Sequence, residues 1–462
     1  MEISAGTYQE KYNEIMRNAF KAYDIRGIFG KDFTENDVYK IGYFLPRLLS
    51  ADKVLIGMDV RVSSQTIYEN LSSGIIDAGA DVHFCGFATT PMVYWATAKY
   101  NYNASVMITA SHNPAEYNGL KVSGKNALPV GFDSGLSQLL SLAEKEHPTP
   151  HEVKGKIRNI DFKPDYLTFL KPYIPDISAL KLAVDCSNGM GSLLIRDLLG
   201  NSPIYLFEKP DGTFPNHAPN PLEPENIHDL SETVKREHCD AGLIFDGDAD
   251  RVMFVDENGE FIQPDLMIAV LAGYFASKGM KGKCLQDIRT SKSVTQFVEL
   301  LGFEMNIWKV GRAYAALKLR EIDGLFGGEL AGHYYFRDFY YSDSAYLAAL
   351  LLLGEIAKAK AKGISLSGLI ANISIYHGSG EMNFKIENKT PAMTALIDHF
   401  KMQEKPGKIL DFDGYRLEFK KWWFNVRPSN TEPYLRLIIE ADSPVLLENK
   451  KAEAIKILSS FK

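Results

Sequence analysis

Cysteine is scarce in this chain of 462 residues, and Cys85, Cys186, Cys239 and Cys284 stand apart with no C-x-x-C spacing. That excludes a cysteine zinc knuckle and argues against a disulfide framework, leaving reduced core thiols in a cytoplasmic protein. Charge of one sign is nowhere concentrated. The formal net charge is −7 and the basic residues are dispersed, which argues against a nucleic-acid partner and requires any anionic ligand to be met by a local basic pocket. Long apolar runs are also missing. The most apolar stretch, 345–356, contains Gly354 and Glu355 and is shorter than the roughly 20 residues needed to cross a bilayer. It reads as a buried helix, and no membrane partner is expected. The first 20 residues are charged and lack an apolar stretch of signal-peptide length. No Pro-rich, Gln-rich or long polar tract interrupts a composition of 45% hydrophobic and 24% charged residues, so the chain should fold throughout.

What is present is alternation. Short β-rich runs alternate with amphipathic segments of helical length, the pattern of α/β layers on largely parallel sheets. The length exceeds what one core supports and predicts three or four domains. The runs 53-KVLIGMD-59, 181-KLAVDCSNG-189 and 282-GKCLQDIRTS-291 share one plan, an apolar strand ending on Asp and passing into a polar loop. They suggest three related units. A charged, Pro-containing connector at 143–159 places one boundary near 155, and a break at Asn258-Gly259 places a second. A Gly- and Ser-containing stretch at 365–383 places the third. The expected architecture is three similar α/β domains with mixed, largely parallel sheets (1–155, 156–258 and 259–370) and a smaller C-terminal α+β domain (371–462), with a hinge near Gly378–Gly380.

Four segments carry candidate chemistry. In 104-ASVMITASHNPAEYNGLKV-122 a strand-like run opens into a loop bearing Ser111, His112 and Asn113, where α/β sheets place their ligands. Taken alone, S-H-N-P is more often a turn. In 241-AGLIFDGDADRVMFVDENG-259, Asp246, Asp248 and Asp250 follow a buried strand at alternate positions, a spacing that points several hard oxygens at one cation. An EF-hand begins the same way, but Arg251 stands where its glycine is needed and a β-like run follows. In 324-GLFGGELAGHYYFRD-338, Glu329 and His333 sit on a glycine-flanked loop suited to sugar hydroxyls. In 427-RPSNTEP-433, Arg427, Ser429, Asn430 and Thr431 gather donors suited to phosphate oxygens. A nucleophile, a metal triad, a hydroxyl reader and a phosphate clamp together describe phosphoryl transfer.

With these strings the chain resembles the α-D-phosphohexomutase superfamily, and its bacterial phosphomannomutase/phosphoglucomutase branch, over nearly its whole length. The matching strings are 23-YDIRG-27, 109-TASHNP-114, 118-NGLK-121, 246-DGDADR-251, 328-GELAGH-333 and 427-RPSNTEP-433. The resemblance implies that Ser111 is phosphorylated in the active enzyme and that Asp246, Asp248 and Asp250 hold Mg²⁺ together with an oxygen of phospho-Ser111. It places His112 and Arg251 against the phosphoserine, and Arg26, Lys309 and Lys121 among the catalytic residues, with Arg26 and Lys309 first as charge stabilisers. Glu329 and Ala331 match the readers of the sugar's 3- and 4-hydroxyls, with His333 beside them. The family's usual residue at the second position is serine, and Ala331 removes one hydrogen bond. Arg312 stands where the branch often has histidine. Tyr23, Lys309, Arg427, Ser429, Asn430 and Thr431 are implied around the other phosphate.

The activity implied is interconversion of mannose 6-phosphate and mannose 1-phosphate through phosphoserine and a hexose 1,6-bisphosphate that is both intermediate and activator. Glucose phosphates are further substrates, because none of these loops obviously reads the 2-hydroxyl. The expected assembly is a monomer or weak dimer. The competing readings are a phosphoglucosamine mutase, a non-catalytic phosphosugar-binding protein, and a haloacid-dehalogenase-type phosphotransferase with Asp246 as nucleophile, which leaves S-H-N-P and R-P-S-N-T-E-P unexplained.

Overall fold

The structure, a computed structural model, describes residues 16–429 and 434–461. The three strands that end on Asp are the organising elements. Lys53–Met58, which runs directly into Asp59, Leu182–Asp185 and Lys283–Asp287 each lie inside a sheet between two parallel neighbours. These are Asp81–Phe87 and Ala104–Ile108 in the first sheet, Ile204–Leu206 and Ala241–Phe245 in the second, and Glu304–Trp308 and Phe326–Gly328 in the third. In each, the second parallel neighbour then turns back into an antiparallel strand: Tyr117–Gly124, Val252–Val255 and Tyr334–Phe336. The weak sequence repeat is therefore a repeat of topology. The turn into the antiparallel strand carries 109–116 in the first unit, 246–251 in the second and 329–333 in the third. Three of the four chemistry-bearing segments thus occupy one topological position, at the C-terminal edge of a parallel strand.

The fourth unit is a largely antiparallel sheet in which Trp422–Pro428 and Tyr434–Ala441 pair along their length. Helices Lys389–Gln403 and Pro444–Ser459 pack on it around their own core of Phe400, Leu417, Trp422, Phe424 and Leu458. Strands Tyr415–Glu418 and Trp422–Pro428 are joined by a tight turn and pair antiparallel. Ile157–Asn159 pairs with Asp81–Phe87 as the edge of the first sheet, and Phe261–Ile262 pairs with Val252–Val255 in the second. These two strands extend the first and second sheets past residues 155 and 258. The connector composition at 143–159 reflected exposure of that edge strand, which has no apolar pattern to betray it.

Helices buried on every side fasten the first three units together. Thr90–Lys99 is capped by Thr89, Ala345–Lys360 is capped by Ser344 and carries the apolar run at 345–356, and Leu266–Ser277 is apolar around most of its circumference. A helix with no polar face has to be covered on all sides. One continuous core runs from Trp95 through Tyr166 and Phe245 to Phe326 and Phe339, with Trp95 against Tyr166 and Phe169, and both of those against Phe339. The last unit meets this body through polar contacts. Arg416 Nη1 donates to the carbonyls of Ile288 and Thr290 at 2.9 and 2.6 Å, and Glu440 accepts from Ser291 Oγ and Lys292 N at 3.0 and 3.2 Å.

Trp95→Ala is therefore expected to destabilise the fused body by about 3–5 kcal/mol, as for other large aromatic deletions. The last unit, reported by fluorescence of Trp422 and Trp423 in a Trp308→Phe background, should keep its own urea midpoint. An equal shift of both transitions would show that all four units unfold together.

Candidate active site

Ser111 closes a tight loop after strand Ala104–Ile108 and takes φ +53°, a left-handed conformation that costs a non-glycine residue on the order of 1 kcal/mol. Its surroundings hold it there. Thr109 Oγ1 accepts from Ser111 N at 2.9 Å, and the buried Arg61 threads the loop from below. Arg61 Nη2 donates to the carbonyls of Ser111 and Asn113 at 2.9 and 2.6 Å, and Nη1 to those of Pro114 and Tyr117 at 2.6 and 3.0 Å. Asp59 Oδ2 pairs with Arg61 Nε at 3.2 Å, while Asp59 Oδ1 accepts from Arg61 N and Ser64 Oγ. One arginine thus binds three carbonyls of the loop and that of Tyr117, where the next strand begins.

The second loop meets the first edge on. A Cβ at Gly247 would lie 2.4 Å from the Ser111 carbonyl oxygen, so only glycine permits this approach. Ser111 Oγ donates to Asp246 Oδ2 at 3.0 Å and accepts from Arg251 Nη2 at 3.3 Å, and His112 Nδ1 lies 3.3 Å away. Arg251 Nε donates to Asp246 Oδ2 at 3.0 Å. Asp246, Asp248 and Asp250 are fully buried, with ligand atoms within 4.8 Å of one another. Lys121, from strand Tyr117–Gly124, reaches in with Nζ 2.6 Å from Asp248 Oδ2 and 2.5 Å from Asp250 Oδ2. Thr90 Oγ1 also bonds Asp248.

Burial and the adjacent Asp250 push the Asp246 carboxyl up to about 7. Against the cost of burial, Lys121 and His333 hold Asp250 below its usual range. Loss of hydration, with Arg251, Arg26 and Lys121 nearby, drives the His112 imidazole well below its usual range and keeps it neutral. Even with Lys121 and Arg251 in place, Asp248 Oδ1 and Asp250 Oδ1 have no hydrogen-bond partner among the described residues. Two orphaned, buried carboxylate oxygens beside a serine hydroxyl fit a hard divalent cation.

The third loop joins through His333, whose Nδ1 bonds Asp343 Oδ2 at 2.7 Å and lies 3.8 Å from Asp250 Oδ1. A bridge between Arg251 and His333 ties the two backbones. Glu329 is buried, accepts from Tyr335 Oη at 2.6 Å and Gly311 N at 3.2 Å, and is raised by that burial. Ala331 lies on the same loop, part exposed. Arg26 bonds Asn113 Oδ1 at 2.8 Å and pairs with Asp24, so it too faces the serine loop. Tyr23 Oη donates to the Val310 carbonyl at 3.1 Å, and Lys309 lies over the Tyr314 ring. Arg312, where histidine was the usual residue, bonds Asp343 at 3.2 Å and stacks on Tyr94. Arg427 is buried with Nη1 3.4 Å from Asp413 Oδ1, and Ser429 N donates to the Tyr434 carbonyl at 2.8 Å. Asn430 and Thr431 lie outside the described residues.

Sequence reasoning missed Arg61, Asp343 and Arg289. Arg289 pairs with Asp287 at 2.8 Å and reaches towards Glu329 and Glu381 at 4.0 and 3.7 Å. A signal existed: 59-DVR-61 and 287-DIR-289 are the same D-x-R string at the end of equivalent strands. Asp287 Oδ2 also accepts Leu330 N at 2.8 Å, so it braces the sugar-side loop much as Arg61 braces the serine loop.

Models of the four domains of phosphoglucomutase/phosphomannomutase match this chain in order: alpha/beta/alpha domains I, II and III at 17–146, 164–259 and 263–375, and the C-terminal domain at 381–457. The phosphomannomutase of Vibrio cholerae is 36% identical over 452 residues, covering 94% of this chain and 97% of that protein. That of Methanocaldococcus jannaschii is 36% identical over 452 residues, covering 96% and 98%. The crystal structure of a phosphoglucomutase/phosphomannomutase family protein from Burkholderia thailandensis superposes with a TM-score of 0.82 at 27% identity, covering 96% of this chain and 98% of that one.

Removing the Arg61 guanidinium would strand the buried Asp59 carboxylate. Arg61→Ala is expected to cost about 3–5 kcal/mol in urea unfolding, the range for breaking a buried ion pair. The double variant Asp59→Ala/Arg61→Ala should recover part of that loss. Equal stabilities for the single and double variants would contradict the brace.

Proposed function

The chain belongs to the phosphoglucomutase/phosphomannomutase family, and from that premise we propose that it interconverts mannose 6-phosphate and mannose 1-phosphate, and the glucose phosphates, through phospho-Ser111. The observation that carries the reading is the meeting of the Ser111 hydroxyl, on a strained backbone, with a triad of buried carboxylates of which two oxygens have no hydrogen-bond partner among the described residues. Asp246, Asp248 and Asp250, with an oxygen of the phosphorylated serine, would hold Mg²⁺. When bound, that ion supplies neutralisation of charge on the transferring phosphoryl group.

The chain's own residues account for the rest. The bond between Ser111 Oγ and phosphorus breaks as the free sugar hydroxyl bonds to phosphorus, and the proton the hydroxyl gives up is balanced by the one Oγ takes up, giving a hexose 1,6-bisphosphate and a bare serine. Arg251 donates to the Oγ from which the phosphoryl group departs, and Lys121 balances the triad it touches. Arg26 lies across the Asn113 side chain, where a cation stabilises a sugar oxygen losing its proton. Glu329 accepts from sugar hydroxyls in place of its present donors, and Arg427 with Ser429 grips the phosphate that is not reacting. The intermediate then turns over, Ser111 takes the other phosphate, and the enzyme ends phosphorylated. No observation favours Asp246 as a nucleophile: its Oδ2 already accepts from both Ser111 and Arg251. The free, buried cysteines suit a reducing cytoplasm.

Incubation with labelled hexose 1,6-bisphosphate is expected to load one acid-stable phosphate on the peptide containing 109–114, and Ser111→Ala should abolish both label and turnover while leaving stability intact. Acid-labile phosphate on the 246–251 peptide would sink the serine mechanism. Chelation of divalent metal should lower turnover at least about a hundredfold, the kinetic counterpart of the several kcal/mol a catalytic cation contributes. Full activity in a chelator would refute the triad's role.

A further inference from the structure

The tip at residues 411–414 joins strands Lys408–Leu410 and Tyr415–Glu418 of the last unit, and the chemistry described so far gives it nothing to do. Gly414 takes φ +66°, and a Cβ there would lie 2.4 Å from Arg427 Cβ, so the tip is folded hard against the strand that carries the clamp. From this position it reaches the third unit. Phe412 packs on Trp308 with ring centroids 5.3 Å apart. Asp413 Oδ2 accepts from Val310 N at 2.8 Å, while Asp413 Oδ1 faces Arg427 Nη1 at 3.4 Å. The Val310 carbonyl in turn accepts from Tyr23 of the first unit, and Gly311 N donates to Glu329. Val310 is thus held through its amide by the last unit and through its carbonyl by the first, beside Lys309 on one side and the Glu329 contact on the other.

We propose that Asp413 is a positioning residue for the reaction, fixing the clamp arginine and the 309–311 turn in one frame so that grip on the non-reacting phosphate and placement of Lys309 and Glu329 are set together. This rests on the reading of Arg427 as the phosphate clamp. A carboxylate beside that arginine also opposes an incoming phosphate by like charge. If Asp413 were only such a competitor, removing it would tighten substrate binding. If it positions, removing it releases both Arg427 and the Val310 amide, and binding weakens.

The test is steady-state turnover of mannose 1-phosphate by the full chain. Asp413→Ala is expected to raise KM about tenfold with a smaller fall in kcat, the pattern of lost binding that is common to ground and transition states. Asp413→Asn keeps an oxygen for the Val310 amide and should return KM to within about threefold of wild type, since one acceptor is retained. Both variants should still load one phosphate on Ser111 from saturating hexose 1,6-bisphosphate, which shows that the serine and metal loops remain assembled. An unchanged or lowered KM in Asp413→Ala overturns the proposal, as does an Asn variant impaired as much as the Ala variant. Arg427→Ala run alongside separates the two readings: if it too leaves KM unchanged, the clamp assignment fails, whereas a raised KM there with none in Asp413→Ala condemns the positioning role alone.

Discussion

Three carboxylates buried on six consecutive residues are the constraint around which this molecule is arranged. Unpaired, each would cost several kcal/mol to take out of water, and a loop of that length cannot bring enough compensating charge of its own. Arg251 is the single cation within it. The remainder has to arrive from elsewhere in the chain: Lys121 from the first unit and His333 from the third. The charge deficit therefore binds three domains at one point, and that point is where Ser111 stands. Two carboxylate oxygens still lack a hydrogen-bond donor among the described residues, so neutralisation by side chains stops short and leaves room for a metal.

Around that point the fold repeats a single device. A strand in each of the first three units ends on Asp, whose Oδ1 accepts from the backbone N–H two residues on, at Arg61, Ser187 and Arg289. The residue so held then supports the adjacent loop or its root. Arg61 donates to three carbonyls of the serine loop and to that of Tyr117 just after it, Ser187 Oγ donates to the Phe245 carbonyl just before the metal loop, and Asp287 itself takes Leu330 N in the sugar-side loop. Loops that must hold strained or charged groups are given a rigid footing on the sheet.

The two kinds of interface divide the molecule mechanically. Helices without a polar face weld the first three units into one core, which keeps nucleophile and metal loop at a fixed separation. The last unit, with a separate core, attaches through arginine, glutamate and aspartate contacts and the packing of Phe412 on Trp308. Phosphoryl transfer suits this division, because the reacting end needs precise distances while the clamp must hold either end of a turning bisphosphate.

The sequence by itself determined the chemistry and the kind of fold. The serine, the alternate aspartates, the glycine-flanked Glu329 and the Arg427 loop are contiguous strings, and contiguous strings keep their internal spacing however the chain folds. The Asp-ended strands likewise announced a threefold α/β repeat, because strand character is written in local apolar pattern. The edge strand Ile157–Asn159 was illegible because it is fully exposed and so has no such pattern. Only the tertiary structure decided which groups serve the strings. Arg61 lies 50 residues from Ser111, Lys121 lies 127 from Asp248, and Asp413 lies 103 from Val310. Each partnership exists because packed sheets bring distant strand ends together, where a buried charge or an unpaired carbonyl accepts whatever donor the fold delivers.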